Sequence, residues 1–367
     1  MSYHSESAAL DDEILERVAR WHSSGASIGE REFNDLALRI FTYQIRYNEP
    51  YARYAGSFGY SPSALPSAWH DIPAVPASAF KEATLATFEK EKAALTFVTS
   101  GTTRAGGGRH YMETRALYDA ALLAGFDRLA IAGRPRLRYL NLVPNPSERP
   151  ESSLGYMMSR VSAERGDGST GWYVRGGSLF IEAFFFDLRV AIAQSRPVCI
   201  ASTAFALVEA IDAMRERNLR FALPPGSRIM ETGGFKGRSR TVSREELYTS
   251  LCESFACSAD AIVAEYGMTE LTSQYYDAAT LPDARAVRFK AGPPWLRARV
   301  TGADGATLPP GTVGALVHVD LANRSSCVAV QTEDLGAQYD DGFVLIGRDA
   351  GAALRGCSLD AEELLRR

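Results

Sequence analysis

Residues 264–270 combine side chains that together could bind a nucleotide. Tyr266 offers a flat aromatic face for a purine, and Gly267 permits a turn close to a ligand. Thr269 can donate a hydrogen bond to a phosphate oxygen, and Glu270 can bind a hard cation through its carboxylate. Because an apolar run precedes Tyr266, the alternative interpretation is a buried strand that simply ends in a surface turn.

Residues 99–109 form a second polar stretch, which directly follows a predicted strand at residues 95–98. It opens with hydroxyl side chains and a glycine, namely Thr99, Ser100, Gly101, Thr102 and Thr103. Glycines let backbone N–H groups approach a polyphosphate, hydroxyl groups donate to its oxygens, and arginines such as Arg109 neutralise its charge. The spacing is not that of a Walker loop. A flexible surface loop would explain residues 105–108 but not the run of hydroxyl groups, so the stretch predicts phosphate binding.

Two further predicted strand ends carry residues that suit a nucleoside. Gly233 and Gly234 follow one strand and could let the backbone pass along the edge of a base. Asp334 is predicted to end another strand, where its carboxylate could accept from both ribose hydroxyl groups, and Arg348 could cover the same sugar. Each motif alone is compatible with an ordinary turn, whereas four such elements in this order favour a nucleotide site.

The elements between these motifs alternate between strand and helix. Strands are predicted at residues 138–143, 197–201, 228–231 and 261–264. Helices are predicted at residues 113–132, 179–194 and 204–217, and a further helix begins at a capping box formed by Ser243 and Glu246. Because parallel neighbours need long crossover connections, this alternation predicts a largely parallel sheet with helices packed on its faces.

The chain divides into four predicted segments. A helical N-terminal region at residues 1–90 starts with a helix whose apolar residues recur at helical spacing, namely Leu10, Ile14, Val18 and Trp21. An α/β core follows at 91–284, and a β-rich subdomain with short strands separated by turn signals covers 285–348. Residues 349–367 are predicted to form a tail.

Composition narrows the class of protein. The chain has 367 residues with 46% hydrophobic and 23% charged residues, and its net charge of -4 gives no electrostatic footprint for nucleic acid. No run of residues is long and apolar enough to span a membrane, and the N-terminus lacks the pattern of a signal peptide, which predicts a cytoplasmic location. Five cysteines without CxxC spacing and five scattered histidines indicate neither a disulfide framework nor a zinc site.

Cys357 is a candidate nucleophile in the C-terminal tail. Arg355 and the start of a possible short helix at residues 358–366 would both favour its thiolate. The acidic residues at 360, 362 and 363 act in the opposite direction. A tail that extends up to about 3.4 Å per residue could carry Cys357 roughly 30 Å from Arg348. The alternative is a small cysteine buried in a packed C-terminal turn.

The ordered series of motifs resembles that of the acyl-adenylate-forming superfamily, which includes acyl-CoA synthetases and adenylation domains. The resemblance runs from about residue 95 to the C-terminus. Within the superfamily the chain looks most like the LuxE-type acyl-protein synthetases, which are related to phenylacetate-CoA ligases. The residues that carry this closer likeness are 266–276, 320–323 and 355–359, together with 73–76 and 80–81 near the N-terminus.

The resemblance implies ATP and Mg²⁺ as cofactors and a role for each motif. Residues 99–103 would hold the departing phosphates, and Gly233, Gly234 and Tyr266 would line the adenine beside Gly267. Thr269 would contact the α-phosphate, Glu270 would bind Mg²⁺, and Asp334 with Arg348 would hold the ribose. The usual lysine near the end of the phosphate loop is missing, and Arg109 would stand in its place, although arginine and lysine are not equivalent.

The resemblance also implies a fold and a reaction. The expected fold is the large N-terminal α/β domain of the superfamily with a β-rich subdomain, without the mobile C-terminal domain of full-length members. An acyl-protein synthetase activates a carboxylic acid, here expected to be a fatty acid, as acyl-AMP. It then places the acyl group on a cysteine, which Cys357 matches, for delivery to an acyl-reductase (LuxC-like) partner.

Two other functions stay open from the sequence. A truncated acyl- or aryl-CoA ligase would pass the acyl group to coenzyme A, and a nucleotide-binding scaffold would catalyse no reaction. Aromatic side chains could line an acyl pocket or could belong to the core, namely Phe184, Phe185, Phe186, Tyr275 and Tyr276. No residue in the sequence indicates the length of the acyl chain.

Overall fold

The computed structural model describes residues 3–99, 107–134, 136–233, 242–277, 288–339 and 342–348. The α-helices are α1 (Tyr3–Ser24), α2 (Glu30–Tyr47), α3 (Glu49–Ser57), α4 (Ala116–Gly125), α5 (Ser153–Arg165), α6 (Ile181–Ala193), α7 (Ala204–Glu216) and α8 (Arg244–Phe255). Short 3₁₀-helices cover Trp69–Asp71, Ala77–Lys81, Lys90–Lys92 and Ala259–Ala261, and a π-helical turn covers Phe126–Ala130.

Fifteen strands lie in the described part of the chain. They are β1 (Val75–Pro76), β2 (Leu95–Val98), β3 (Arg109–Met112), β4 (Leu137–Pro144), β5 (Gly166–Arg175), β6 (Ser178–Leu179), β7 (Val198–Thr203), β8 (Arg228–Thr232), β9 (Ile262–Tyr266), β10 (Tyr275–Asp277), β11 (Lys290–Ala291), β12 (Leu296–Thr301), β13 (Val313–Asp320), β14 (Ala329–Tyr339) and β15 (Gly342–Arg348).

The chain forms two compact units, each built from separated segments. The first unit contains Met1–Gly125, Met268–Tyr275 and Arg285–Arg367, and the second contains Phe126–Gly267 and Tyr276–Ala284. The four contiguous segments predicted from the sequence group the chain differently, because the N-terminal helices fall in the same unit as the β-rich segment. That four-segment division stays a prediction.

In the first unit, the four α-helices α1 to α4 accompany an antiparallel sheet. Its strands lie in the order β12, β13, β14, β15 and β11, and β1 pairs with β14 in parallel. The predicted first helix is confirmed as α1, since Leu10, Ile14, Val18 and Trp21 are its buried apolar residues. Helix α2 was not predicted, although it buries Phe33, Leu36, Ile40 and Phe41 along one face at helical spacing.

Strand β14 differs from the prediction in its length. The sequence predicts a strand that ends near Asp334 in a turn, whereas β14 continues to Tyr339. Its pairing with β15 carries a register shift between Leu335 and Gly336, so the predicted turn is an irregularity within a strand. Asp334 therefore lies inside a strand and not at its end.

The second unit contains the predicted parallel sheet. Strands β5, β4, β7, β8 and β9 are neighbours in this order and all four pairings are parallel, and β6 adds an antiparallel edge. Apolar side chains of the strands and of α6, α7 and α8 form one core, which includes Phe184, Phe185, Ile200 and Leu207. The α/β fold class is confirmed, and Phe184 and Phe185 belong to this core, whereas the neighbouring Phe186 is exposed.

Helix α8 begins as the sequence predicts. The Ser243 hydroxyl accepts from the backbone N–H of Glu246, and the Glu246 carboxylate accepts from the backbone N–H of Ser243. These reciprocal bonds satisfy backbone donors that the first turn of a helix leaves unpaired. The capping box is therefore confirmed.

Among the helices of the described residues, none combines the length and the apolar character needed to cross a membrane. The predicted cytoplasmic location stays a prediction.

Candidate active site

Strands β2 and β3 pair in a hairpin on either side of the glycine-rich stretch. The end of this hairpin next to the stretch, at residues 98–99 and 107–109, is called the stem. Val98 pairs with Arg109 in the antiparallel register. Just beyond this pair, the Thr99 N–H donates to the Gly108 carbonyl at 2.9 Å, and the Gly108 N–H donates to Thr99 Oγ1 at 2.8 Å. The Thr99 hydroxyl accepts in this bond, so its own proton can still be donated to a ligand.

Close packing at the stem requires a glycine at position 107. A Cβ atom at Gly107 would lie 2.5 Å from the Thr99 carbonyl oxygen and 2.6 Å from Val98 Cγ1. Backbone on the opposite strand cannot move aside without breaking the hairpin, so a side chain is excluded there. The glycines at this end of the stretch thus have a packing role, which the loop interpretation did not predict.

Only some of the predicted phosphate-binding residues lie in the described part of the hairpin. Thr99 is half-buried at the stem and Arg109 is exposed on β3. Ser100, Gly101, Thr102 and Thr103 lie outside the described residues, so their predicted role stays a prediction.

His110 connects the hairpin to the segment that contains Thr269 and Glu270. His110 is fully buried, its Nδ1 lies 2.8 Å from the Thr269 carbonyl oxygen, and its Nε2 lies 2.9 Å from Asn323 Oδ1. The Asn323 side-chain amide donates to the Glu270 carbonyl oxygen at 2.9 Å. Two consecutive backbone carbonyls of the predicted nucleotide motif are therefore fixed by side chains from β3 and from the turn after β13.

The protonation of His110 reflects two opposing effects. Loss of hydration favours the neutral ring, whereas the contacts with Thr269 and Asn323 favour the protonated ring. Loss of hydration is the larger effect, and it lowers the pKa of His110 to about 4.

Asp320 fixes the residues that follow Glu270. Its carboxylate accepts from the backbone N–H groups of Thr272 and Ser273 at 2.9 and 2.8 Å, from the Ser273 hydroxyl at 2.9 Å, and from the Ala322 N–H at 3.0 Å. Complete burial raises the pKa of Asp320 to about 6, and these donors oppose the rise. The segment after Glu270 is thus held along its backbone by one buried carboxyl group.

Glu270 itself is a suitable ligand for a magnesium ion. Glu270 is buried, and the preceding residue, Thr269, is half-buried. Mg²⁺ is commonly bound by one or two carboxylates together with substrate phosphates and water. Among the described residues, no group of three or more His, Cys, Asp or Glu side chains could hold a metal ion.

Asp334 and Arg348 are brought together, as the sequence predicts for residues that share one ligand. They are register partners on β14 and β15, and Arg348 Nε donates to Asp334 Oδ1 at 3.0 Å. The Arg348 side chain is about half-exposed and that of Asp334 is mostly buried. The pair presents a carboxylate and a guanidinium at the surface of the β-rich sheet, which suits a polyol such as ribose.

The second unit contains the remaining described candidates. Gly233 directly follows β8 with φ of 72°, a left-handed backbone that favours glycine. Tyr266 is the last residue of the neighbouring strand β9 and is buried, and Gly267 after it is exposed. Because β8 and β9 are parallel, their carboxyl ends meet at one sheet edge, where Thr232 donates a hydrogen bond to the Glu265 carboxylate. Gly234 and Cys357 lie outside the described residues.

Neither His110 nor Asn323 has a role that the sequence predicts. The partners of His110 are 159 and 213 residues away in the chain, and no local pattern reveals them. A weak signal exists, since the alternation of β3 turns His110 to the same face as Met112, and a polar ring at a buried position must find partners.

A sequence profile of the family described as "Acyl-protein synthetase, LuxE" matches residues 5–365. The chain belongs to this LuxE family. Among curated proteins it is similar to the "Long-chain-fatty-acid--luciferin-component ligase" of Vibrio harveyi, with 22% identity over 345 residues, 89% of this chain and 86% of the relative. The predicted family, the α/β fold class and the ligase class of enzyme are therefore confirmed, as is the general function of acyl activation by adenylation.

Solved structures with a similar fold are adenylate-forming enzymes. A 2-hydroxyisobutyryl-CoA ligase in complex with 2-HIB-AMP and CoA gives a TM-score of 0.66 at 14% identity, over 87% of this chain and 68% of that one. Fatty acyl-adenylate ligases from E. coli and L. pneumophila give 0.50 at 14% identity, over 70% of this chain and 51% of theirs. McyG A-PCP with phenylalanyl-adenylate gives 0.50 at 17% identity, over 72% and 48%. The chain thus spans about half the length of several solved structures, and these likenesses show the fold.

Proposed function

We propose that this LuxE-family chain activates a fatty acid with ATP and Mg²⁺ and transfers the acyl group to the thiol of Cys357. The observation that supports it most directly is the link from His110 and Asn323 to the carbonyl groups of Thr269 and Glu270. This link joins the stem of the glycine-rich stretch to the segment with the hydroxyl and carboxylate groups that a reacting triphosphate needs. A fatty acid as substrate is consistent with the name of the Vibrio harveyi relative.

In the first step, an oxygen of the substrate carboxylate attacks the α-phosphorus of ATP, and the bond to the β-phosphate breaks as pyrophosphate leaves. The side chain of Thr269 would donate to an α-phosphate oxygen, and Glu270 would hold the metal ion. Asp334 and Arg348 bind the ribose, and Gly233, Gly234, Tyr266 and Gly267 bind the adenine. Mg²⁺, when bound, neutralises charge on the phosphate oxygens.

Among the proposed phosphate donors, Thr99 is held in place before the reaction by its hydrogen bonds with Gly108. Residues 99–103 and Arg109 would bind the departing phosphates, and the hydrogen bonds between Thr99 and Gly108 set the width of the stem. Fixed donors stabilise the charge that develops on the phosphates without reorganising during the reaction.

In the second step, the thiolate of Cys357 attacks the acyl carbon of acyl-AMP, the mixed anhydride bond breaks, and AMP leaves with both electrons. The thiol proton goes to solvent before the attack. The thioester formed on Cys357 retains the activation of the anhydride in a transferable form, and an acyl-reductase partner would accept the acyl group from it.

Labelled acid separates this function from its alternatives. Incubation of the protein with ATP, Mg²⁺ and a radiolabelled long-chain fatty acid should leave label on the protein after denaturation. Cys357→Ser should lose this label and retain acid-dependent exchange between pyrophosphate and ATP. The matched control is Cys252→Ser, which replaces a half-buried cysteine of α8 and should keep both activities.

Other outcomes of this experiment would contradict the proposal. Label that appears only on added coenzyme A would identify an acyl-CoA ligase. Label that persists in Cys357→Ser would place the thioester on another residue. Absence of pyrophosphate exchange across a panel of fatty and aromatic acids would identify a nucleotide-binding protein without this activity.

A further inference from the structure

His110 and Asn323 form a continuous polar bridge inside the first unit. The imidazole lies between the Thr269 carbonyl and the Asn323 side chain, and the Asn323 amide continues to the Glu270 carbonyl. Both residues are at most 1% exposed, so neither can touch a bound nucleotide directly. Any effect on the reaction must act through the backbone of Thr269 and Glu270.

The orientation of the Asn323 amide is fixed by its neighbours. Its nitrogen donates to two carbonyl oxygens, those of Glu270 and Cys327, both at 2.9 Å. If the amide were turned over, its oxygen would face these two carbonyl oxygens, which is unfavourable. Asn323 Oδ1 is therefore the atom that faces His110.

Both ring nitrogens of His110 consequently face oxygen acceptors, Thr269 O and Asn323 Oδ1. A neutral imidazole donates from one nitrogen only. The two contacts are thus unequal in a neutral ring, and only one of them can be a strong hydrogen bond. The structure allows a test of which one matters, because amide side chains can replace the two nitrogens separately.

We propose that His110 and Asn323 are positioning residues for adenylation, which hold the carbonyls of Thr269 and Glu270 so that their side chains face the triphosphate and its metal ion. The contact between His110 Nδ1 and the Thr269 carbonyl is the decisive one. This inference rests on the proposed function of the same site. It predicts that removing the bridge changes metal dependence and turnover, and not stability alone.

Two amide substitutions test the two ring nitrogens of His110 separately. The nitrogen of an asparagine side chain can take the place of Nδ1, and the nitrogen of a glutamine side chain can take the place of Nε2. His110→Asn keeps a donor toward Thr269, and His110→Gln keeps a group toward Asn323. Acid-dependent pyrophosphate exchange should fall by about tenfold or more in His110→Gln and by clearly less in His110→Asn, because small misplacements of reacting groups are costly.

The matched control is His318→Gln. His318 is also fully buried in the first unit, and burial lowers its pKa to about 4 as well, but its Nδ1 lies 3.0 Å from the Tyr275 hydroxyl. His318→Gln should lower thermal stability as much as the His110 variants and leave the KM for Mg²⁺ and the kcat of exchange near those of the wild type. Equal activity of His110→Asn and His110→Gln, or an equal loss in His318→Gln, would overturn the proposal.

Asn323→Asp tests the second half of the bridge independently. A carboxylate at this position still accepts from His110 and no longer donates to the Glu270 carbonyl. The apparent KM for Mg²⁺ should rise by about fivefold or more, and a wild-type value would contradict the inference. If wild-type protein shows no exchange with any acid, the proposed function fails. If wild-type protein is active and these variants match it, only the positioning role fails.

Discussion

At the scale of single residues, Arg324 forms a buried ion-pair network within the first unit. Its guanidinium is 1% exposed and donates to both oxygens of Asp11 at 2.7 Å and to Glu113 Oε2 at 2.6 Å. These contacts join α1, the end of β3 and the turn after β13. A cation buried with two carboxylates is costly to remove, because each carboxylate then stays partly buried without its partner.

Replacement of this cation should therefore destabilise the protein severely. We expect Arg324→Met to lower the free energy of unfolding by about 3 kcal/mol or more. Arg31→Met is the matched control, since Arg31 is almost fully exposed and lies 3.9 Å from an exposed Asp35, and it should change stability by less than about 0.5 kcal/mol. Urea denaturation measures both variants. Equal effects of the two substitutions would show that burial of Arg324 does not decide its contribution.

His318 makes the stability of the protein depend on pH with a defined sign. Burial lowers the pKa of His318 to about 4, whereas an unfolded histidine binds a proton below about 6.5. Between these pH values the unfolded chain binds the proton and the folded chain does not, so acidification favours unfolding. This contribution to the free energy of unfolding is present above pH 6.5 and falls by up to about 3 kcal/mol as the pH is lowered to 4.

The variant His318→Gln isolates this effect. It cannot titrate, so its free energy of unfolding should fall less than that of the wild type between pH 6.5 and 4. The wild type must be compared with this variant because Asp320 also titrates in this range. The pKa of Asp320 is raised to about 6, so its protonation stabilises the folded protein as the pH falls from about 6 to 4. NMR provides a direct check, since the His318 ring resonances should not shift until the pH approaches 4, and a midpoint near 6.5 would contradict the prediction.

At the scale of elements, α2 and α3 support the turn that carries Asn323 and Arg324. Gln44 of α2 is fully buried, donates to the carbonyls of Asn323 and Arg324 at 2.8 and 3.0 Å, and accepts from the Val328 N–H at 2.8 Å. Asn48, between the two helices, donates to the Ser326 carbonyl at 3.2 Å. A side chain of α2 and the residue between α2 and α3 thus hold the backbone around the bridge.

Loss of this support should reduce both stability and activity. Gln44→Leu leaves three buried backbone groups without their partner, and we expect the free energy of unfolding to fall by about 3 kcal/mol. The rate of pyrophosphate exchange should fall as well, because the turn that orients Asn323 loses its anchor. Gln194→Leu at the exposed end of α6 is the control and should be nearly neutral. A stable Gln44→Leu protein would show that water or another side chain replaces these bonds.

The helices and strands that were predicted correctly are determined by patterns within their own segments of the sequence. Periodic apolar residues define α1, a capping box starts α8, and apolar runs bounded by turn residues define the parallel strands. Helices α2 and α3 were not predicted individually, although they lie in the region at residues 1–90 that was predicted to be helical, and α5 was not predicted. The full length of β14 was missed because Asp-Leu-Gly has the composition of a turn, whereas pairing with β13 and β15 keeps it extended.

The candidate site was predictable only where its residues form local motifs. Thr269, Glu270, Asp334 and Arg348 stand in such motifs, and the structure pairs the last two. His110 contacts the site from a distant part of the chain and belongs to no recognised motif. Asn323 lies in residues 320–323, which carry the family likeness but indicate no role for its side chain. Single-sequence reasoning identifies the groups that touch a ligand more readily than the buried groups that hold them.

At the scale of the whole molecule, a ligand that binds only the folded chain raises its stability by mass action. At one hundred times its dissociation constant the gain is about 2.7 kcal/mol. Because Asp334 and Glu270 are proposed to contact different parts of MgATP, their variants should change this gain in different ways. Loss of the ribose contact weakens nucleotide binding with or without metal, whereas loss of the metal carboxylate matters only when Mg²⁺ is present.

Thermal unfolding at a fixed ATP concentration, with Mg²⁺ or with a chelator, resolves the two contributions. In the wild type, we expect ATP to raise the unfolding temperature and Mg²⁺ to raise it further. In Glu270→Gln the increment from Mg²⁺ should largely vanish while the increment from ATP alone remains. In Asp334→Asn both values should be lower while a difference due to Mg²⁺ persists. A full Mg²⁺ increment in Glu270→Gln would remove Glu270 from the metal site, because no contact of a neutral amide could replace the attraction of a carboxylate for a divalent ion.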